Sequence, residues 1–172
     1  VALAVLLFAL NCAVARPITP AERTALTDTV ARFDAAMRGT DLEAIAQTVP
    51  PKVLDHIAKQ ANVTVEQLRT TLIDQIKTAL AADTIDSFKM DLAEAEFLEL
   101  PDGKPYVLIP TETVVKTESG KMAVGGKTLA FMDGDSWYLV RVSEPQQVNI
   151  LRAVYPEFAT IEMPEGTMKA VQ

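Results

Sequence analysis

Between residues 87 and 142 the apolar positions recur at a period near two, and three short polar clusters interrupt them. The clusters are Leu100-Pro101-Asp102-Gly103-Lys104, Glu118-Ser119-Gly120-Lys121 and Asp133-Gly134-Asp135-Ser136. Glycine supplies the positive φ that hairpin turns need, and Pro and Asp favour turn starts. Between them lie the β-branched and aromatic runs Tyr106-Val107-Leu108-Ile109, Thr113-Val114-Val115, Thr128-Leu129-Ala130-Phe131-Met132 and Trp137-Tyr138-Leu139-Val140-Arg141-Val142. The pattern predicts an antiparallel meander of about four strands. Three features predict that it bends. Phe88, Met90 and Leu92 share one parity, whereas Ala93, Ala95 and Phe97 share the other, as across a β-bulge. Pro110 interrupts the second strand, which implies a bulge or an edge position. Gly125-Gly126 interrupts the third and reads as a sharp bend in unusual φ/ψ. The sheet is expected to be strongly curved, with a concave side.

Upstream the period changes to that of helices. Thr19-Pro20-Ala21-Glu22 reads as a capping box, and Leu26, Val30, Phe33 and Met37 follow as one stripe that Gly39 is expected to stop. Thr40-Asp41-Leu42-Glu43 opens a second, short helix that ends at Pro50-Pro51. A third covers 51 to 60. Thr64-Val65-Glu66-Gln67 caps a fourth, in which Leu68, Leu72, Ile73, Ile76 and Leu80 share a face and which should end near Ala82. After Val142, Ser143-Glu144-Pro145 starts a last helix with Val148, Ile150, Leu151 and Val154 on its apolar side, and Pro156 ends it. Phe158 to Met163 reads as a short extended segment and the final residues as frayed. The fold class is α+β: N-terminal helices packed on one face of a curved antiparallel meander.

A chain of 172 residues with 49% hydrophobic content suits one domain with a core of its own. The first fifteen residues read separately. Val1 to Leu10 is an unbroken apolar run, followed by the small-x-small signal Ala13-Val14-Ala15 and then Arg16-Pro17. This is the pattern of a secretory leader, and the run is shorter than the roughly 18 apolar residues that spanning a membrane needs. Residues 16 to 172 would then form the single α+β domain, exported to a bacterial periplasm. Cys12 is the one cysteine, and Ala9-Leu10-Asn11 before it fits a lipidation box poorly. A mature chain without cysteine gains nothing from an oxidising compartment. The net charge of -7 without a basic stripe argues against nucleic acid and against anionic lipid. No membrane contact is expected once the leader is removed.

The long capped helix leading into Gly39-Thr40-Asp41-Leu42, a short helix, and curved strands closing on Gly134-Asp135-Ser136-Trp137-Tyr138-Leu139-Val140-Arg141-Val142 resemble the nuclear-transport-factor-like superfamily. The resemblance covers residues 20 to 142 and implies a cone-shaped, cystatin-like fold that also houses ketosteroid isomerases and SnoaL-like cyclases. The helices at 51–82 and the tail at 143–172 depart from it. So does Val49-Pro50-Pro51, where enzymatic members place an acidic loop. No catalytic acid is therefore carried over.

Candidate chemistry is sparse. His56 is the only histidine, and there are no cysteine pairs or H-E-x-x-H, so no metal or other cofactor is expected. The acidic positions from Asp86 to Asp102 read as a solvated strand face, and Asp133-Gly134-Asp135 as a hairpin turn. There is no Gly-x-Ser-x-Gly, and Val124-Gly125-Gly126-Lys127 leads into strand, so no helix N-terminus is available to hold phosphate. Asp34, Tyr106, Thr111, Thr113, Tyr138 and Arg141 are the residues expected to project into a concave pocket, with Trp137 and Leu139 in the core. Asp34 with Tyr106 or Tyr138 is the one base and donor pairing available. Three functional classes follow: a non-catalytic module holding a small apolar ligand or a partner protein, an isomerase or cyclase, and a subunit that forms a homodimer through its sheet. The first is the expectation, because isomerisation needs a base and an oxyanion donor that converge.

Overall fold

Two reciprocal caps set the helical frame. The computed structural model describes residues 17–82 and 84–171, so the expected leader, its cleavage site and Cys12 lie outside the described residues. Helix α1 (Pro20–Gly39) starts at Thr19, whose hydroxyl accepts from the Glu22 amide at 3.2 Å while Glu22 Oε2 accepts from the Thr19 amide at 2.8 Å. The helix ends at Gly39, as expected. The left-handed turn falls on Thr40, at φ 55°, whose amide donates to the Ala36 carbonyl. Asp41, not Thr40, then caps α2 (Leu42–Gln47) by accepting from the Ala44 amide at 3.1 Å. Helix α3 (Pro51–Ala61) begins at a proline whose missing N–H is no loss in the first turn. Thr64 and Gln67 exchange bonds of 2.9 and 3.1 Å at the start of α4 (Val65–Ala82).

The sheet is a strongly curved antiparallel half-barrel. Its spine is the pair β3 (Pro105–Thr117) and β4 (Gly120–Asp133), in continuous register from Tyr106 opposite Phe131 to Thr117 opposite Gly120. Each long strand carries two shorter ones in line on its outer edge. On β3 these are β1 (Thr84–Met90) and β2 (Glu96–Glu99). On β4 they are β5 (Ser136–Arg141) and β6 (Thr167–Val171). Gly103, Gly120 and Gly134 take the positive φ that the three turns require.

Several expectations about this sheet change. The parity switch between 92 and 93 is not a bulge. It falls in the turn region between two separate strands, and the register shift lies earlier, between Ile85 and Ser87. Pro110 does not interrupt β3, which stays in continuous pairing with β4, but it does take the expected edge position, where β1 has ended and β2 has not begun. Its carbonyl there accepts from the Asp91 amide at 2.8 Å, and no β1 or β2 residue pairs with it. Gly125 and Gly126 do not take positive φ. They are small because other atoms come close. A Cβ on Gly125 would lie 2.8 Å from Thr167 Oγ1, and one on Gly126 would overlap Ser143 Oγ and lie 3.0 Å from Ser143 Cβ. Phe158 to Thr160 is not extended, since Phe158 ends a 3-10 turn (Pro156–Phe158) and a turn follows it, and Ile161 to Met163 belongs to no strand. The tail expected to fray forms β6 instead.

Helices cover both faces of the sheet, not one. The alternation Tyr106/Leu108 against Val107/Ile109 sorts β3 side chains into two cores. On one face α1 lays Leu26 and Val30 on Val107, Ile109, Ala130, Trp137 and Leu139. Trp137 Nε1 donates to the Glu22 carbonyl at 3.0 Å and ties that face to the start of α1. On the other face α3, α5 (Pro145–Val154) and the 3-10 turn cover Tyr106, Leu108, Leu129 and Phe131. Phe158, fully buried, makes edge contacts with Tyr106 at 5.8 Å and Phe131 at 5.3 Å. Helix α4 buries Leu68 against Leu54 and Ala58 of α3.

Candidate binding groove

The open recess of the molecule runs between α1 and β1. On α1 it is walled by Thr27, Val30, Ala31, Asp34 and Arg38. Their spacing of three and four places them on one side of the helix. One cavity of about 370 Å³ lies over Phe88, Lys89, Met90 and Leu92. A second, of about 240 Å³, continues over Thr84 to Phe88 towards Met37 and Leu80. The two share Arg38 and Phe88. Phe33 meets Phe88 edge-on at 5.7 Å and fixes the floor where they join.

The electrostatics of this recess are closed. Asp34 forms an ion pair with Arg38 one turn later, so its carboxylate is engaged on its own helix. Lys89 is bound by Asp91 at 2.7 Å, and Asp86 by Lys121 at 2.8 Å. The hydrogen bond to Asp91 raises the pKa of Lys89, and the same bond lowers that of Asp91.

The six expected site residues do not converge. Tyr106 is buried under Phe158, and burial raises its pKa. Tyr138, opposite Phe131, packs half-buried against the same core. Both tyrosines therefore lie on the α3–α5 face. Thr111, Thr113 and Arg141 share the parity of Ile109 and Leu139 and lie on the α1 face, as does Asp34. The sheet thus separates Asp34 from Tyr106 and Tyr138, and the base and donor pairing cannot form. Thr111 instead bonds Thr128 at 2.8 Å and the Ile109 carbonyl at 3.0 Å. Thr113 is buried opposite Phe88, and Arg141 is exposed opposite Thr128. Of the six, Asp34 alone lines the recess.

A polar cluster that the sequence does not announce lies on the other side. Asp133 in the β4–β5 turn accepts from Lys52 at 2.7 Å and from the Tyr155 hydroxyl at 2.9 Å. The Lys52 hydrogen bond lowers the pKa of Asp133, and burial followed by the Asp133 bond pushes that of Tyr155 far up. A tyrosine held protonated in this way is a structural donor. Through the Asp133 carboxylate, Lys52 ties α3 and Tyr155 ties the end of α5 to the turn. Among the described residues no group of three or more His, Cys, Asp or Glu is placed to hold a metal ion, and no helix is long and apolar enough to cross a membrane.

Fold and recess together define an α+β half-barrel domain with an open groove between α1 and β1. Comparison with protein-family models, with curated proteins and with solved structures finds no match to this chain.

Proposed function

We propose that this domain is a non-catalytic binding module whose occupant lies in the α1–β1 groove. The observation that carries the reading is the engagement of Asp34 by Arg38, in an apolar recess on the opposite face of the sheet from both candidate donor tyrosines. Turnover of the ketosteroid type needs a base free to take a proton and a donor within reach of the developing oxyanion. The groove instead offers apolar wall area and an open strand edge, which suit holding. A partner protein fits this better than a small apolar ligand, because the groove is a long open trough and a small ligand favours an enclosed cavity. The curled sheet with α1 laid along it supports placement among the cone-shaped, nuclear-transport-factor-like folds, in the binding rather than the enzymatic branch.

The test is turnover across a panel of ketones, steroids and cyclisable polyketides, with Asp34→Asn and Tyr138→Phe beside the wild type. No turnover is expected from any of the three. Wild-type turnover that Asp34→Asn abolishes would overturn the module reading.

A further inference from the structure

The groove has an unusual wall. Taken across the two cavities, its strand side is lined by every residue of β1 in immediate succession, Thr84 to Phe88 in one and Phe88 to Met90 in the other. A recess lying on a sheet face would meet every second residue. One that meets all of them lies along the backbone edge. That edge is free: β1 ends the ladder order, pairs with β3 on its inner side, and has no partner strand on its outer side among the described residues. Among the described residues β2 and β6 also have no partner strand on their outer sides, but these edges are shorter, at four and five residues. β3 is covered by β1 and β2, and β4 by β5 and β6. The outer side of β5 receives the α2 end, where the Leu139 amide donates to the Thr48 carbonyl at 3.4 Å.

We infer that an extended, uncharged peptide segment of a partner protein binds here by adding as a strand to the outer edge of β1, between β1 and α1. The inference rests on the binding-module reading and specifies its occupant. Main-chain hydrogen bonds to the edge provide affinity, and alternate side chains of the segment enter the trough. Over Phe88 to Met90 they meet Val30, Phe88, Met90 and Leu92, so the side chains there are apolar, whereas over Thr84 to Ser87 the lining includes Thr40, Thr84 and Ser87 and suits small uncharged side chains. Seven residues of β1 give a seat of about 23 Å, enough for a segment of about seven residues. Charge selects the segment further. Asp34, Arg38, Asp86 and Lys89 are each engaged by a neighbour within this chain, which leaves the trough without an uncompensated charge. A charged segment would give up its hydration there with no counter-ion in return.

The experiment uses isotopically labelled protein and a blocked heptapeptide of alternating threonine and valine, followed by amide chemical shifts. Shifts are expected at 84–90 and along the α1 wall. Methylating alternate amides on the peptide edge that faces β1 should weaken binding more than ten-fold, and methylating the opposite edge should not. Ala31→Trp fills the trough from an exposed position on α1 and should abolish the shifts while leaving the thermal melt in place. Strand addition is overturned if the peptide gives no shifts, if both methylated peptides bind equally, or if Ala31→Trp still binds. A dimer in light scattering whose β1 amides are protected without peptide assigns the edge to a second copy and also overturns it. The fluorophore 1-anilinonaphthalene-8-sulfonate separates the two readings. If it shifts groove residues while the peptide does not, strand addition falls and the module reading stands. If neither binds, both fall.

Discussion

Gly126→Ala should change sign according to what stands at position 143. Gly126 has no positive φ and lies in regular strand pairing opposite Thr111, so its backbone accepts alanine. Removing glycine from a strand should by itself stabilise by about 0.5–1 kcal/mol. Against this, the new Cβ overlaps Ser143 Oγ and sits 3.0 Å from Ser143 Cβ. The hydroxyl can rotate aside, but the Cβ cannot move without the backbone. That backbone is held, because the Ser143 carbonyl accepts from the Gly166 amide at 3.1 Å, and a Cβ on Gly166 would itself lie 2.9 Å from Ser143 Cβ. Overpacking of this kind costs about 1–3 kcal/mol, leaving a net loss of up to about 2.5 kcal/mol. At about 2–4 °C per kcal/mol for a domain of this size, the melting temperature should fall by up to about 10 °C. In a Ser143→Gly background both clashing atoms are gone, and Gly126→Ala should become neutral or stabilising by up to about 1 kcal/mol. The assay is a double-mutant cycle by urea unfolding, read through Trp137, the single tryptophan, which is buried on the α1 face. Equal losses from Gly126→Ala in both backgrounds would refute the crowding argument and return the cause to backbone conformation.

Two further outcomes are expected. The Lys52 bond depresses the pKa of Asp133 below its ordinary 3.8, so the stability it confers is complete above that value and lost as pH falls through the folded value. Asp133→Asn should flatten this acid-side loss in urea melts from about pH 6 to pH 2, by less than about 1 kcal/mol because Lys52 is well exposed; an unchanged slope would place the titration elsewhere. Export with cleavage after Ala15 is our proposal from the sequence, and N-terminal sequencing of the exported protein should begin at Arg16; a retained leader would contradict it.

What the sequence carried well was local. Thr19 with Glu22 and Thr64 with Gln67 are reciprocal caps written in four residues each, and both form. The turns at Gly103, Gly120 and Gly134 need positive φ and take it. What misled had two physical causes behind one signature. A parity switch arises from a bulge or from a change of strand, and at 92–93 it is the second. A glycine in a strand marks special φ/ψ or a close approach, and at 125–126 the approaching group comes from residues 143 and 167, too distant in sequence for any window to see. The last strand had no signal, because most of Thr167 to Val171 is exposed and shows no burial alternation.

The site was misplaced for a deeper reason. Side-chain periodicity reports the faces of a sheet, and a concave face is where a pocket is expected in a curved one. Here both faces are already covered, one by α1 and the other by α3, α5 and the 3-10 turn. Covering both faces buries Tyr106 and Thr113 and leaves Tyr138 packed on the opposite side of the sheet from Asp34. What stays open is an edge, and an edge belongs to backbone pairing and leaves no period in the side chains. The one trace of it in the sequence is Thr84-Ile85-Asp86, a strand start with two β-branched residues directly after the α4 helix. β1 lies on the rim of the sheet as the end strand of the ladder order, and its residues line the recess with those of α1. The groove is therefore a consequence of topology, and the residues that define it are recognised only once the strand order is known.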